Sequence, residues 1–283
     1  MSKVAIVTDS TAYLPDDLIE QYQISVVPQV LIWGDETMRD GIDIEATEFY
    51  VRLANAEVMP TTSQVSVVDF KEIFERLSRA GHDILAVLVS EGLSGTVDSA
   101  RQAKAMLPDA NIEFVNSKTI AMELGFHVLS AARAAAAGAS LSDCKKIAED
   151  AGSRTGIVFA VDTLEFLHRG GRIGAAARYL GTALQLKPIL TIANGRIEAL
   201  ERVRTKRKSH QRLVALIGEY TANYNKIKLA VLHANAEQDA NALLAAAEQS
   251  LDNISETFFT GVSPIVGAHV GPGTVALSYM GED

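Results

Sequence analysis

The first half of the sequence alternates short apolar runs with segments of helical type. Residues 3–8, 83–89 and 112–116 are near-continuous apolar runs, which are typical of strands covered on both faces. Between the first two runs, Ser66 precedes Asp69 at the spacing of a capping box, which indicates a helix start. Because strands that alternate with helices pair in parallel, this half predicts a parallel sheet between layers of helices.

The remaining elements of this half follow from the same patterns. Residues 24–33 read as one long β-type segment, and residues 59–64 read as a polar loop. We expect helices that start at Pro15 and after Ser66, and others over 45–56, 96–107, 120–137 and 141–153. Arg133 interrupts the alanine-rich part of 120–137, so we interpret this segment as a buried helix and not as a membrane span.

The second half carries a different signal at Asn194 and Gly195. This dipeptide separates β-type segments at 188–193 and 196–202, and it is a strong signal for a two-residue hairpin. The second sheet is therefore expected to contain antiparallel strands. Further strands are expected at 156–161, at 228–233 and on both sides of 267–273, and helices at 164–167, 175–186, 205–224 and 237–251.

The change from alternating strands and helices to a pattern with antiparallel strands falls near Gly152. We expect an α/β fold with two domains and place their boundary there. Residues 1–152 would form a three-layer domain around a parallel sheet. Residues 153–283 would form an α+β domain around a mixed or antiparallel sheet.

Charge and hydropathy disfavour two classes of function. There are 26 Lys and Arg residues against 35 Asp and Glu residues, a net charge of −9, whereas nonspecific nucleic-acid binding needs a basic surface. No apolar run approaches the ~20 residues of a membrane span, and no signal segment is visible. The single cysteine, Cys144, fits a reducing compartment. We expect a cytoplasmic protein with no nucleic-acid partner and no stable membrane insertion.

The sequence also lacks the common cofactor motifs. Neither GxxxxGK[ST] nor a GxGxxG after the first strand is present, and HExxH is absent. The six histidines are scattered along the chain. We therefore expect no nucleotide cofactor and no metal site.

Three polar segments are candidate ligand sites. Residues 8–11 (TDST) follow the first strand, at the edge where open α/β sheets bind ligands, or else form a capping turn. Residues 60–64 (PTTSQ) offer hydroxyls that donate to an anion without adding charge, or satisfy their own backbone. Residues 92–96 (GLSGT) open a helix whose free N–H groups can hold an anion, or place Ser94 as its N-cap.

His269 lies among glycines in residues 267–273 (GAHVGPG). Its imidazole would either approach a ligand closely or lie exposed in a turn. Ser94, His269 and Asp9 would make a hydrolase triad. The segment Gly92–Thr96 does not complete the GxSxG pattern, however, because Thr96 stands where the second glycine would be.

Basic residues cluster in two places despite the negative net charge. Arg169 and Arg172 flank a Gly-Gly turn, and residues 202–212 carry several lysines and arginines without an acid. We call residues 202–212 the basic run. It is either a solvated helix face or a docking surface for an anion, a phosphate or an acidic partner.

Together these segments resemble the DegV family of fatty-acid-binding proteins. They follow the order of the family and span nearly the whole chain. The matching segments are VTDS (7–10), PTTSQ (60–64), LSGT (93–96), RGGRI (169–173), KPIL (187–190), the basic residues of 202–208 and GAHVGPG (267–273). One departure is Val65, where the family pattern has proline; it leaves the hydroxyls of 60–64 unchanged.

The resemblance implies a two-domain α/β protein that holds one long-chain fatty acid between its domains and is not a catalyst. In bacteria, a separate fatty acid kinase would use ATP to convert the presented carboxylate into an acyl phosphate for phospholipid synthesis. By motif match, Thr62, Ser94 and His269 would bind the carboxylate. Supporting residues would be Thr61, Ser63, Gly95, Thr96 and Arg202, and candidate kinase contacts would be Arg169, Arg172, Arg204 and Lys206.

Two other functions stay open at the level of the sequence. An acyl hydrolase or transferase would use Ser94 and His269 on an acyl substrate, and an acyl-serine probe would label Ser94. A plain interaction module would act through the basic run, with salt-sensitive partner binding and no lipid in a pocket.

Overall fold

The structure is a computed structural model that describes residues 3–180 and 186–282. Its strands are β1 (Val4–Asp9), β2 (Ser25–Val27), β3 (Val30–Trp33), β4 (Glu36–Arg39), β5 (Thr61–Ser63), β6 (Asp83–Leu88), β7 (Ile112–Asn116), β8 (Thr155–Ala160), β9 (Lys187–Ala193), β10 (Arg196–Val203), β11 (Lys226–His233), β12 (Ile254–Gly261) and β13 (Val275–Glu282). Its α-helices are α1 (Asp16–Tyr22), α2 (Ala46–Leu53), α3 (Val67–Arg79), α4 (Thr96–Ala105), α5 (Ala121–Ala136), α6 (Leu141–Ala151), α7 (Glu165–Arg169), α8 (Lys206–Thr221), α9 (Glu237–Ser250) and α10 (Pro264–Val270).

The first half contains the parallel sheet that its sequence predicts. The strand order is β2-β1-β6-β7, and each neighbouring pair runs in parallel. Ser66 caps α3, since its Oγ accepts a hydrogen bond from the Asp69 amide at 3.0 Å. The α/β class is therefore confirmed, and the carboxyl ends of β1 and β6 meet at one edge of the sheet.

The second half contains a mixed sheet of six strands in the order β10-β9-β8-β13-β11-β12. Asn194 and Gly195 both have positive φ, 52° and 78°, as a hairpin turn between β9 and β10 requires. Within this six-stranded sheet, β11 and β12 are the only parallel pair among the described residues, and the other pairs are antiparallel. The hairpin and the antiparallel character are confirmed, whereas the domain boundary at Gly152 stays a prediction.

Helix α5 lies between the two sheets. It contacts β1 and β6 on one side and β8 and β13 on the other. A helix that is apolar on nearly all sides is typical of such a buried position, and Met122, Leu124 and Val128 in its first half are fully buried. The prediction of a buried helix is correct for most of residues 121–132, whereas the alanines at 134–137 are partly or fully exposed. No helix among residues 3–180 and 186–282 could cross a membrane.

The prediction of one strand over 24–33 is wrong. The segment forms β2, which pairs with β1, and β3, which joins a separate antiparallel sheet in the order β4-β3-β5. Pro28 lies between the two strands, and a proline has no N–H to donate to a ladder. The chain therefore changes sheets at this proline.

Two segments that read as loops are regular structure. The polar residues Thr61–Ser63 are strand β5, paired with β3, and Pro264–Val270 form helix α10. The helix begins with proline at its first position, where the missing N–H costs nothing. His269 is therefore held on a helix rather than in a glycine-rich loop.

The predicted helix over 175–186 is also wrong in its described part. Residues Gly174–Tyr179 form a short 3₁₀ helix, and Leu180 is extended. Gly174 has a positive φ of 52° and packs on the Ile197 carbonyl of β10, so tertiary packing outweighs the helical preference of the alanines. The rest of that prediction includes residues 181–185, which lie outside the described residues.

Candidate functional site

A cavity lies between the carboxyl end of the parallel sheet and the six-stranded mixed sheet. Its apolar lining includes Val89 after β6, Phe159 on β8, Leu232 on β11 and Ile265 on α10. The space between the lining atoms, including the part open to solvent, is about 870 Å³, and the centre of a water molecule can occupy only about 90 Å³ of it. The cavity is therefore narrow and largely apolar, which suits a thin apolar ligand.

Thr62 and His269 form the polar end of this cavity. Both line it, and Thr62 Oγ1 lies 2.7 Å from His269 Nε2 although the residues are 207 positions apart. Strand β5 carries the threonine and α10 carries the histidine, and the two elements pack together. The structure thus joins two of the predicted site residues directly.

His269 is a partly buried, neutral base. Burial, followed by the positive charge of Arg172, lowers the pKa of His269 to about 4. Its Nδ1 is buried without a hydrogen-bond partner among the described residues. A neutral imidazole whose Nε2–H donates to Thr62 leaves the threonine hydroxyl proton available to a ligand.

Ser94 lies at the start of α4 and also lines the cavity. Its Oγ is 2.8 Å from Thr96 Oγ1, and the N-cap of the helix is Gly95. The interpretation of Ser94 as the N-cap is therefore wrong. Gly95 faces the amide of Gln64, so the loop before α4 packs beside β5.

Arg172 brings a positive charge to the same end. Its guanidinium lines the cavity, with Nε donating to the Leu93 carbonyl at 3.1 Å and Nη1 to the Gly170 carbonyl at 2.7 Å. These two bonds hold the side chain beside Ser94 and His269. Arg172, predicted as a partner contact, is therefore placed where it can also attract an anionic head group.

Gly170 packs directly on His269. A Cβ at this position would collide with Nδ1 and Cε1 of the imidazole. The glycine of the RGGR segment therefore makes room for the histidine, a reason that is not evident from the sequence.

Thr11, from the segment 8–11 considered above as a ligand site, lines the cavity, and so does Gln29, which sequence reasoning missed. Asp9 holds both: its Oδ1 accepts from Thr11 Oγ1 at 2.5 Å and from Gln29 Nε2 at 3.1 Å. Its Oδ2 accepts from the Val89 amide at 2.8 Å. The polar segment at the end of β1 indicated Thr11, whereas no pattern in the sequence indicated Gln29.

The structure does not assemble the triad considered for a hydrolase. Both oxygens of Asp9 are hydrogen-bonded to Thr11, Gln29 and Val89, and Ser94 pairs with Thr96. His269 pairs with Thr62. No observation on the described residues therefore favours the hydrolase or transferase over binding.

The supporting residues divide between the cavity and the surface. Ser63 lines the cavity with Thr62, whereas Thr61 is exposed. Arg202 lies over the ring of Tyr179 at 4.4 Å. Thr96 touches the site only through Ser94, and Gly95 through Gln64.

The predicted partner contacts other than Arg172 lie outside the cavity. Arg169 pairs with Glu165 at 2.5 Å, and Lys206 pairs with Asp239 at 2.5 Å. Arg204 is exposed. The structure leaves their role in partner binding a prediction.

Comparison with known proteins finds relatives that match over nearly the whole chain. A family model described as the DegV family of uncharacterised proteins matches residues 3–282. A DegV domain-containing protein of Clostridium perfringens is 34% identical over 283 residues and matches across 99% of each chain. Another from Streptomyces coelicolor is 37% identical over 275 residues and 97% of each chain.

Two solved structures are similar over the whole chain. A DegV family protein from Thermus thermophilus, described by its fatty acid binding, has a TM-score of 0.93 and 31% identity, and covers 99% of this chain and 100% of its own. DegV of Bacillus subtilis, described as a fatty acid binding protein, has a TM-score of 0.90 and 30% identity, with 100% of each chain covered. From the near-complete family match and these full-length relatives, the chain belongs to the DegV family.

Proposed function

We propose that this protein binds one long-chain fatty acid non-covalently and presents its carboxylate to a separate fatty acid kinase. The observation that carries the proposal is a narrow apolar cavity with Thr62, Ser94, His269 and Arg172 in its polar lining. The relatives from Thermus thermophilus and Bacillus subtilis, described as fatty acid binding, support it.

The acyl chain supplies most of the affinity. Each buried methylene contributes about 0.8 kcal/mol, so a sixteen-carbon chain offers on the order of 12 kcal/mol before the costs of ordering are subtracted. Side chains such as Val89, Phe159 and Leu232 present no hydrogen-bonding group to that chain. The tail therefore holds the ligand, and the polar groups orient it.

The carboxylate binds where neutral donors and one cation meet. Thr62 and Ser94 offer hydroxyl protons, and Arg172 adds a fixed positive charge held by two carbonyls. Because burial keeps His269 neutral, it acts as a positioning group for Thr62 rather than as a second cation. Hydrogen bonds to a charged group are worth about 1.5–3 kcal/mol each.

The carboxylate then meets the kinase. The kinase transfers the γ-phosphoryl group of ATP to a carboxylate oxygen, which yields an acyl phosphate and ADP for phospholipid synthesis. This chain, in the cytoplasm, would carry substrate and product without catalysing the transfer. Arg169, Arg172, Arg204 and Lys206 are candidate contacts, since basic groups suit an acidic partner surface.

The binding half is tested by displacement of a fluorescent fatty acid from the delipidated protein. We expect palmitate and hexadecanol both to displace it, with palmitate the stronger competitor because the head-group donors favour a charge. Failure of both ligands to compete would contradict the proposal.

The kinase half needs its own assay. Radiolabel from the γ-phosphate of ATP should reach the fatty acid only when a purified bacterial fatty acid kinase and this protein are both present. Transfer that is equal without this protein would contradict the presenting role while leaving fatty acid binding intact.

A further inference from the structure

A second cavity lies on the other side of two isoleucines. Ile157 of β8 and Ile192 of β9 line both cavities. The second cavity is much wider, because the centre of a water molecule can occupy about 800 Å³ of it. Of the side chains that the structure describes, only these two belong to both linings, so they form a wall between a narrow space and a wide one.

The wall separates apolar surroundings from polar ones. Along one face of β8, Phe159 lines the first cavity alone, Ile157 lines both, and Thr155 lines the second alone. Residues two apart on a strand share a face, so this face changes from apolar to polar across Ile157. The start of α5 shows the same change, from Ala121 in the first cavity to Glu123 in the second.

The polar groups behind the wall are hydrogen-bonded to one another. Thr119 Oγ1 donates to Glu123 Oε2 at 2.5 Å, and Thr155 Oγ1 donates to Glu123 Oε1 at 3.4 Å. His127 Nε2 lies 2.9 Å from Thr155 Oγ1. The methyl end of an acyl chain placed among these groups would lose the apolar contacts that favour its burial.

We propose that Ile157 and Ile192 form the end wall of the acyl cavity and set the longest chain that it accepts. This inference rests on the proposed function. Each methylene on the apolar side improves affinity about fourfold, whereas one pushed past the wall meets polar groups and gains nothing. Affinity therefore rises with chain length up to the wall and then stops rising.

A matched pair of variants on β9 tests the wall. Ile192→Ala removes three carbon atoms from the wall, which leaves room for about two more methylenes of the acyl chain. Ile189→Ala removes the same atoms from the opposite face of the strand, in the core cluster that includes Leu213 and Ile217, and lines neither cavity. The readout is native mass spectrometry of delipidated protein that competes for saturated acids of graded even chain length.

We expect Ile192→Ala to prefer an acid about two carbons longer than the unchanged protein does. The ratio of that acid to the original optimum should rise about 16-fold, from two methylenes at fourfold each. Ile189→Ala should keep the original optimum. If Ile192→Ala and Ile189→Ala both bind acid and prefer the same chain length, the proposal that Ile192 forms the end wall is overturned.

A milder pair covers the case in which an alanine variant fails to fold. Ile192→Val and Ile189→Val each remove one methyl group, and Ile192→Val alone should shift the preference towards longer acids. An unshifted preference in both overturns the wall. If the unchanged protein binds no acid of any length, the proposed function itself fails. If it binds acids but neither variant shifts the preferred length, only the end-wall proposal fails.

Discussion

At the scale of single residues, the polar end of the cavity depends on one hydrogen bond between distant parts of the chain. Thr62 Oγ1 and His269 Nε2 lie 2.7 Å apart, and burial keeps the imidazole neutral. A neutral donor can occupy a lone pair of the hydroxyl and direct its proton towards a carboxylate. The threonine hydroxyl should therefore distinguish an acid from a neutral ligand of the same length.

Thr62→Val removes this hydroxyl with little change in volume. We expect the affinity for palmitate to fall about 10-fold, as the loss of one hydrogen bond to a charged group implies, and the affinity for hexadecanol to fall less. Kinase turnover should fall more than the amount of bound lipid. Titration calorimetry measures the two affinities, and Thr61→Val, on the exposed face of β5, is the control. Equal losses for acid and alcohol would contradict the role of Thr62.

Gly170 is the second residue on which the site depends. Gly170→Ala puts a methyl group into the imidazole of His269, so the ring must shift from the position in which it contacts Thr62. We expect weaker palmitate binding with retained secondary structure, measured by titration and circular dichroism. Gly218→Ala is the control, because a Cβ there makes only ordinary contact with Leu251. Unchanged binding in Gly170→Ala would show that the contact with His269 is not needed.

At the scale of elements, helix α10 is fastened to the first half of the chain at its N-terminus. Ser263 Oγ donates to Asp40 Oδ2 at 2.9 Å and lies 2.9 Å from the hydroxyl of Tyr13. The Tyr50 hydroxyl donates to the Val262 carbonyl at 3.2 Å. Because α10 carries His269, these bonds set the position of the imidazole over β5.

Asp40 makes this anchor sensitive to pH. Burial raises the pKa of Asp40 to about 6, above the value of 3.8 for an unperturbed carboxyl. The folded state therefore holds the proton more tightly, so its stabilising contribution is complete below pH 4 and is lost as pH rises through 6. A shift of about two pKa units corresponds to at most about 3 kcal/mol.

Asp40→Asn should remove this dependence. We expect the free energy of unfolding of the variant, relative to the unchanged protein, to increase between pH 4 and pH 7. Denaturant melts at a series of pH values measure the difference, which cancels the titration of Glu123, His127 and other groups common to both proteins. A difference that is flat across this range would show that Asp40 ionises normally.

Much of the element pattern could be predicted, and the errors have local causes. Asn194 and Gly195 fixed a hairpin because only positive φ at both residues suits that turn. The split at Pro28 was missed because both halves of 24–33 have β-type residues, and only pairing assigns them to different sheets. The 3₁₀ helix from Gly174 was missed because packing on β10 is a tertiary effect.

The site was predictable where function needs unusual residues and unpredictable where it needs ordinary ones. Thr62, Ser94 and His269 stood out as polar residues in glycine-rich or hydroxyl-rich segments, and all three line one cavity. Ile157 and Ile192 look like any buried strand residue in sequence. Which apolar side chains line a cavity and which pack in the core is decided by how the sheets face each other.

At the scale of the whole molecule, the cavity is lined by residues from both halves of the chain. Val89 and Ile120 come from the first half, and Phe159 and Leu232 come from the second. A ligand in this space buries apolar surface that the empty protein leaves without partners. Binding to the folded state alone stabilises it by about 2.7 kcal/mol at a ligand concentration 100-fold above Kd.

Removal of the ligand should therefore lower the stability of the whole protein. We expect delipidation to lower Tm by several degrees and palmitate to restore it, since about 1 kcal/mol shifts Tm by roughly 2–4 °C for a chain of this size. Differential scanning calorimetry measures both steps, with a short-chain acid such as acetate as the control. The same Tm with and without palmitate would contradict a ligand that joins the two halves.

The most direct test of the central claim is the identity of what the purified protein carries. The protein is denatured, extracted with organic solvent without hydrolysis, and the extract and the remaining chain are both measured by mass spectrometry. The account predicts about one long-chain fatty acid per chain in the extract and an unmodified mass for the protein. No lipid in the extract, or an acyl group still attached to the chain, would contradict a non-covalent fatty acid carrier.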